Sequence, residues 1–139
     1  MKYVLDASVA LKWVFGEEGS DKALQLRAEF VLGVHDILAP DIFAIEVGHA
    51  LSKAHRQRKI SEDEAHAYFI DLLSTPPRLY PSASLLPRAY EFALQSRASL
   101  YDCLYLALAE QSGCSLLTAD QRLIQNLQSP SSIVHLSQL

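Results

Sequence analysis

A chain of 139 residues, half of them hydrophobic, has the size of one ordinary domain with a single sizeable core, so residues 1–139 are read as one domain. Its formal net charge of −4 argues against gripping nucleic acid by bulk electrostatics, because phosphate contacts come from clustered Lys and Arg. No apolar run reaches the roughly 18 residues of a membrane span and no basic-then-apolar leader opens the chain, so a soluble cytoplasmic protein without a membrane partner is expected.

Lys2 to Leu5 reads as a short buried strand, and Asp6-Ala7-Ser8 leads into an apolar segment, Val9 to Phe15, that suits a helix stopped by Gly16. Ser20 is placed to cap a helix over residues 20–34, with Ala23, Leu24, Leu26, Phe30 and Val31 on its inner face. Ile37-Leu38-Ala39 is a second strand. Pro40-Asp41 opens a third helix that carries Glu46 in its middle and ends near Lys59, and Ser61 with Glu64 has the capping-box spacing for a fourth. After the Thr75-Pro76-Pro77 break come a short strand over 78–81, a helix over 84–96 with Pro87 in its first turn, and a helix over 99–111. Ser115-Leu116-Leu117 is a strand, Asp120 starts a short helix, and Ile133-Val134-His135 is the last strand. Short apolar strands alternating with helices predict an α/β fold with a mostly parallel central sheet sandwiched between helices.

Sites in such sheets form beyond the carboxyl ends of the strands. Asp6 follows the first strand and Asp120 the one ending near Leu117, so both belong on that rim, although each also suits a helix cap. Asp102 stands in the first turn after Ser99, where an acid also favours the helix dipole. Glu46 is different, because Ile42, Phe43, Ala44, Ile45, Val47, Ala50 and Leu51 surround it and no cap explains it; a salt bridge to Lys53 or another base is its structural alternative.

Helix geometry removes other acids. Asp41 lies roughly 140° around the axis from Glu46 and should cap, while Glu110 lies roughly 12 Å along the helix from Asp102. The remaining set is Asp6, Glu46, Asp102 and Asp120. If these carboxylates meet, their repulsion calls for a cation, and oxygen-only ligands suit Mg²⁺ or Mn²⁺. Such ions can activate water and stabilise the leaving oxygen in phosphodiester hydrolysis, and they reconcile an acidic protein with an anionic substrate.

The segments "YVLDASVALKW", "APDIFAIEVGHAL", "LYDCLYLALAE" and "LLTAD", in this order over nearly the whole chain, resemble the PIN-domain ribonucleases and, within them, the VapC-type toxins of toxin-antitoxin pairs. The resemblance implies a PIN-like fold, Asp6, Glu46, Asp102 and Asp120 as the acidic metal and catalytic site, and Ser8 and Thr118 as hydroxyl positions supporting it. It further implies metal-dependent endoribonuclease activity on RNA, a homodimer, and a cognate antitoxin that covers the acidic cleft, inserting Arg or Lys in place of metal and substrate.

Other features have plainer readings. Lys53 and Arg56 lie on a helix end where cations favour the dipole, with guidance of RNA phosphates as the functional alternative. Trp13, Phe15, Tyr68, Phe69, Tyr101 and Tyr105 fit helical apolar patterns as core or dimer contacts, and His49 as a helix-packing residue. Cys103 and Cys114 suffice neither for a disulfide framework nor for a zinc site and are expected as reduced core thiols. Two rivals remain at this stage: a phosphatase with Asp6 as covalent nucleophile, which lacks a second acid two residues on because Ser8 is there, and a receiver-like or catalytically silent metal-binding interaction domain. Neither explains Glu46 in its apolar helix.

Overall fold

The computed structural model describes residues 1–127 and 132–139. Within them, β1 (Lys2–Leu5), β2 (Asp36–Pro40), β3 (Arg78–Tyr80), β4 (Ser115–Thr118) and β5 (Ile133–His135) form one sheet in the order β3-β2-β1-β4-β5, with every pairing parallel. The helices are α1 (Ala7–Leu11), α2 (Ser20–Val31), α3 (Phe43–Arg56), α4 (Glu62–Ser74), α5 (Ser82–Gln95), α6 (Leu100–Ser112) and α7 (Gln121–Leu127). No helix among the described residues is long and apolar enough to cross a membrane.

Successive residues of a strand point to opposite faces of a sheet. Tyr3-Val4-Leu5 in β1, Ile37 to Pro40 in β2 and Leu116-Leu117-Thr118 in β4 are all buried, so both faces of the central strands are covered. Helix α6 supplies much of that cover: Cys103 to Ala109 are buried without interruption, as in a helix that is apolar all round, and it packs on β1, β2 and β4. Ser99 caps its start by accepting the Asp102 N–H at 3.1 Å, and Gly113, at φ +63°, ends it in a left-handed turn that favours glycine. The chain runs outward from β1 through β2 to β3, then returns to the other side of β1 for β4 and β5. The reversal sets a topological switch point between the carboxyl ends of β1 and β4.

Several boundaries differ from the sequence expectations for identifiable reasons. Pro40 closes β2 against Tyr80 instead of opening α3, so Glu46 lies in the first turn of α3 and not in its middle. Asp41 does not cap α3: its Oδ1 accepts from the Ser82 N–H at 3.2 Å and from the Ser82 hydroxyl, which starts α5 earlier than expected and leaves Pro87 beyond the first turn. Gly19, at φ +87°, takes the N-cap of α2, while the Ser20 hydroxyl accepts from the Glu17 N–H and donates to the Phe15 carbonyl. Helix α1 is only five residues long, followed by tighter turns, and the Trp13 indole donates to the Ala23 carbonyl at 3.0 Å. In α2, Ala23 and Leu26 are buried, but Leu24 and Val31 are exposed. The Ser61–Glu64 capping box of α4 forms as expected. Cys103 is buried and Cys114 half-buried, both free.

Candidate active site

The switch point is built around Asp6. It occupies the N-cap position of α1, yet its side chain does not cap that helix: Oδ2 accepts from the Ser8 hydroxyl at 2.6 Å and from the Thr118 hydroxyl at 2.9 Å. Each hydroxyl, having donated its only proton, accepts a backbone N–H from the turn after β4, Ser8 from Ala119 at 3.0 Å and Thr118 from Asp120 at 3.0 Å. The Asp6 N–H donates to the Leu117 carbonyl at 3.0 Å, which continues the β1–β4 ladder up to the acid. Burial raises the Asp6 carboxyl above its ordinary value; the two hydroxyls oppose this and the nearby Asp120 charge adds to it.

Helix α3 starts at the same rim because it follows β2, and its first turn brings Glu46 toward Asp6 and Asp102. Burial pushes the Glu46 carboxyl up to about 7, with the charges of Asp6 and Asp102 adding to the effect. The structural alternative, a salt bridge from Glu46 to Lys53 or another base, is not made among the described residues. Glu46 Oε1 and the Tyr105 hydroxyl are both buried without a hydrogen bond of acceptable geometry, although they face each other closely enough for the hydroxyl to hold the Glu46 carboxyl down. Tyr105 is fully buried and its hydroxyl is pushed far above its usual range by burial and by Glu46, Asp6 and Asp102. It therefore belongs to the site as well as to the core. Its position one helical turn after Asp102 was the signal available in the sequence.

Helix α6 leads back to the start of β4, so its first turn also lies at the carboxyl rim. Burial, then the charges of Asp6 and Asp120, push the Asp102 carboxyl up to about 6. Asp120 is exposed and caps α7 through Oδ1, which accepts the Arg122 N–H at 2.9 Å, so the capping reading holds for it alongside its proximity to Asp6 and Asp102.

The charge of Asp6 thus reaches Glu46 and Asp102, that of Asp102 reaches Glu46 and that of Asp120 reaches Asp6 and Asp102, and none of the four acids forms an ion pair among the described residues. As they stand, no three His, Cys, Asp or Glu side chains among the described residues are gathered closely enough to hold a metal ion. The arrangement is an electrostatically coupled set rather than a finished ligand sphere. The two excluded acids are engaged elsewhere: Asp41 with Ser82, and Glu110 in a two-pronged pair with Arg88 at 2.8 and 2.9 Å. Lys53 and Arg56 are exposed on the last turn of α3, and Arg56 donates to the Ser52 hydroxyl at 3.3 Å. Of the aromatic residues read as core or dimer contacts, Trp13 and Tyr105 are buried, whereas Tyr101 is 60% exposed and stands outside the core.

Residues 3–127 match the PIN domain family model. The chain is 37% identical over 124 residues to Ribonuclease VapC12 of Mycobacterium tuberculosis, covering 88% of this chain and 90% of that protein. It is 32% identical over 127 residues to Ribonuclease VapC3 of Pyrobaculum aerophilum, covering 90% of this chain and 94% of that protein. Among solved structures, VapBC2 from Rickettsia felis, bound to a DNA fragment from its promoter, shares the fold with a TM-score of 0.67 at 14% identity, over 97% of this chain and 98% of that one. Its parallel sheet, its switch point and these relatives together mean that the chain belongs to the PIN-domain family, among proteins of the VapC type.

Proposed function

We propose that this protein is a divalent-metal-dependent endoribonuclease, the toxin of a toxin-antitoxin pair, acting as a single cytoplasmic domain in which Asp6, Glu46, Asp102 and Asp120 hold Mg²⁺ or Mn²⁺. The observation that carries the reading is Glu46 Oε1, buried and unpaired, on a carboxyl that Asp6 and Asp102 both push upward. A buried carboxylate oxygen without a partner is destabilising, and a cation relieves both its desolvation and the repulsion among its neighbours. The donor chemistry fits the ion: oxygen ligands only, with no cation of the protein already paired to them among the described residues.

Bound there, the ion supplies Lewis-acid chemistry for phosphodiester hydrolysis. The protein's own contribution is positional. Ser8 and Thr118 fix the Asp6 carboxylate while tying it to the turn that carries Asp120, and the Tyr105 hydroxyl keeps the Glu46 carboxyl from rising further. The raised proton affinities of Asp102 and Glu46 keep part of the set protonated near neutral pH until a cation displaces the protons.

A homodimer is supported by the exposed residues Leu86, Tyr90 and Leu94, which recur at helical spacing along α5 as an apolar stripe. Light scattering on wild type and Tyr90→Asp tests it: a monomeric wild type excludes the dimer. An antitoxin partner is supported by the VapC-type relatives and by the fold shared with VapBC2 from Rickettsia felis, and its expected sign is a copurifying small protein with an Arg or Lys aimed at the acids. A covalent phosphatase mechanism fits poorly, because Asp6 is 6% exposed and its Oδ2 already accepts two hydrogen bonds.

The test is incubation of the purified protein with a transcript pool, with Mn²⁺ or with chelator, followed by mapping of new RNA ends. Cleavage with Mn²⁺, absent with chelator and reduced at least about a hundredfold in Asp102→Asn, is the expected result. Near-wild-type turnover in that variant removes the assignment.

A further inference from the structure

Ile45, Glu46, His49 and Tyr101 line a cavity of about 380 Å³ between the start of α3 and the start of α6. Ile45 is 72% exposed and Tyr101 60% exposed, so neither large apolar side chain is committed to the core. Glu46 and His49 are one turn apart on α3, and Tyr101 immediately precedes Asp102. The cavity therefore shares one wall with the acid cluster and sets an aromatic ring and an imidazole beside it.

We propose that this cavity is a base-binding subsite, in which Tyr101 stacks an unpaired nucleobase next to the scissile phosphate and Ile45 and His49 close around it. The inference rests on the ribonuclease reading above and names what that reading leaves open, the element that holds the substrate beside the cut. A lone exposed hydrophobe needs no explanation. Here an aliphatic and an aromatic side chain border one cavity that also includes a carboxylate of the candidate site, and the group attached to a phosphate at that carboxylate is a nucleoside. Stacking on a tyrosine ring requires a base free of its own stack, so the subsite selects single-stranded or looped RNA over a paired helix. His49 adds a ring nitrogen able to hydrogen-bond a base edge.

The experiment compares wild type, Tyr101→Ala and Tyr101→Trp with Mn²⁺ on the transcript pool and on one preferred RNA, together with Mn²⁺ titration and light scattering. Tyr101→Ala should raise KM about tenfold and blur the nucleotide preference beside the cut, with kcat, Mn²⁺ affinity and oligomeric state unchanged. Tyr101→Trp should keep KM and the preference. An unchanged KM and cleavage pattern in Tyr101→Ala overturns the subsite while leaving the nuclease standing. Loss of Mn²⁺ affinity in that variant also overturns it, by making Tyr101 a support of the acids, and so does conversion of a dimer to monomer, by making it a contact between copies. Wild type that leaves the pool intact overturns the nuclease reading and the subsite with it.

Discussion

Asp6 and Thr118, 112 positions apart in the chain, are joined by a 2.9 Å hydrogen bond at the ends of neighbouring strands. Thr118 also accepts the Asp120 N–H, so one buried hydroxyl links the acid after β1 to the backbone of the acid after β4. Thr118→Val keeps the shape and removes the link, leaving the Asp120 N–H without its partner. The expected loss is about 1–3 kcal/mol of stability by denaturant melting and about tenfold in Mn²⁺ affinity by calorimetry. Unaltered Mn²⁺ binding would make the hydroxyl a purely structural tie.

The metal-free protein should lose stability as pH rises. Glu46 at about 7 and Asp102 at about 6, with Asp6 also raised, all hold protons more tightly in the folded than in the unfolded chain. Their contribution is full below the ordinary carboxylate range and is lost as pH climbs through 6 and 7. Glu29, Glu64 and Glu110, held low by their partners, act in the opposite sense, but only at more acidic pH. Chelated protein should therefore be less stable at pH 8 than at pH 5 by on the order of 2 kcal/mol, and Mn²⁺ at pH 8 should restore the difference. A flat profile in chelator contradicts the crowding of the acids.

Tyr105→Phe isolates the buried hydroxyl beside Glu46. Removing it should move the Glu46 carboxyl above about 7, because the hydroxyl holds that value down. At pH 5, where Glu46 is protonated and the hydroxyl has no charge to stabilise, stability should be unchanged or higher, since a buried hydroxyl without a well-aligned hydrogen bond is removed while the ring stays. Carbon-detected NMR titration of the Glu46 carboxyl and a thermal melt report the two effects. A steady Glu46 with a large drop in stability would reduce Tyr105 to packing.

Lys53 and Arg56 extend from the end of α3 without an acidic partner among the described residues. If they follow RNA phosphates, replacing both with Ala should flatten the logarithmic salt dependence of RNA binding by about 1.4, the yield of two single-strand phosphate contacts. An identical slope leaves them as solvated cations at a helix end.

What the sequence made legible was local. An acid directly after an apolar strand marks the rim of a parallel sheet, which brought out Asp6 and Asp120, and Glu46 stood out because its neighbours are apolar. Features that depend on distant partners were not legible in that way. Asp41 starts α5 across the fold rather than its own helix, and Pro40 ends a strand because β3 pairs beside it. Ser8 and Thr118 came from family resemblance alone, since their bonds to Asp6 depend on which strands are neighbours. Tyr105 reads as core because it is core, and the direction of its hydroxyl depends on α3. Tyr101 sits in an equally apolar pattern yet points outward, a difference that one helix turn of sequence does not reveal.

Mn²⁺ titration of wild type and Glu46→Gln, followed by calorimetry with melting temperatures measured in chelator, probes the acid set most directly. The account predicts saturable binding to wild type, weakened about tenfold or more in Glu46→Gln, whose chelated form melts no lower than wild type. Equal Mn²⁺ affinity in the two proteins would contradict it.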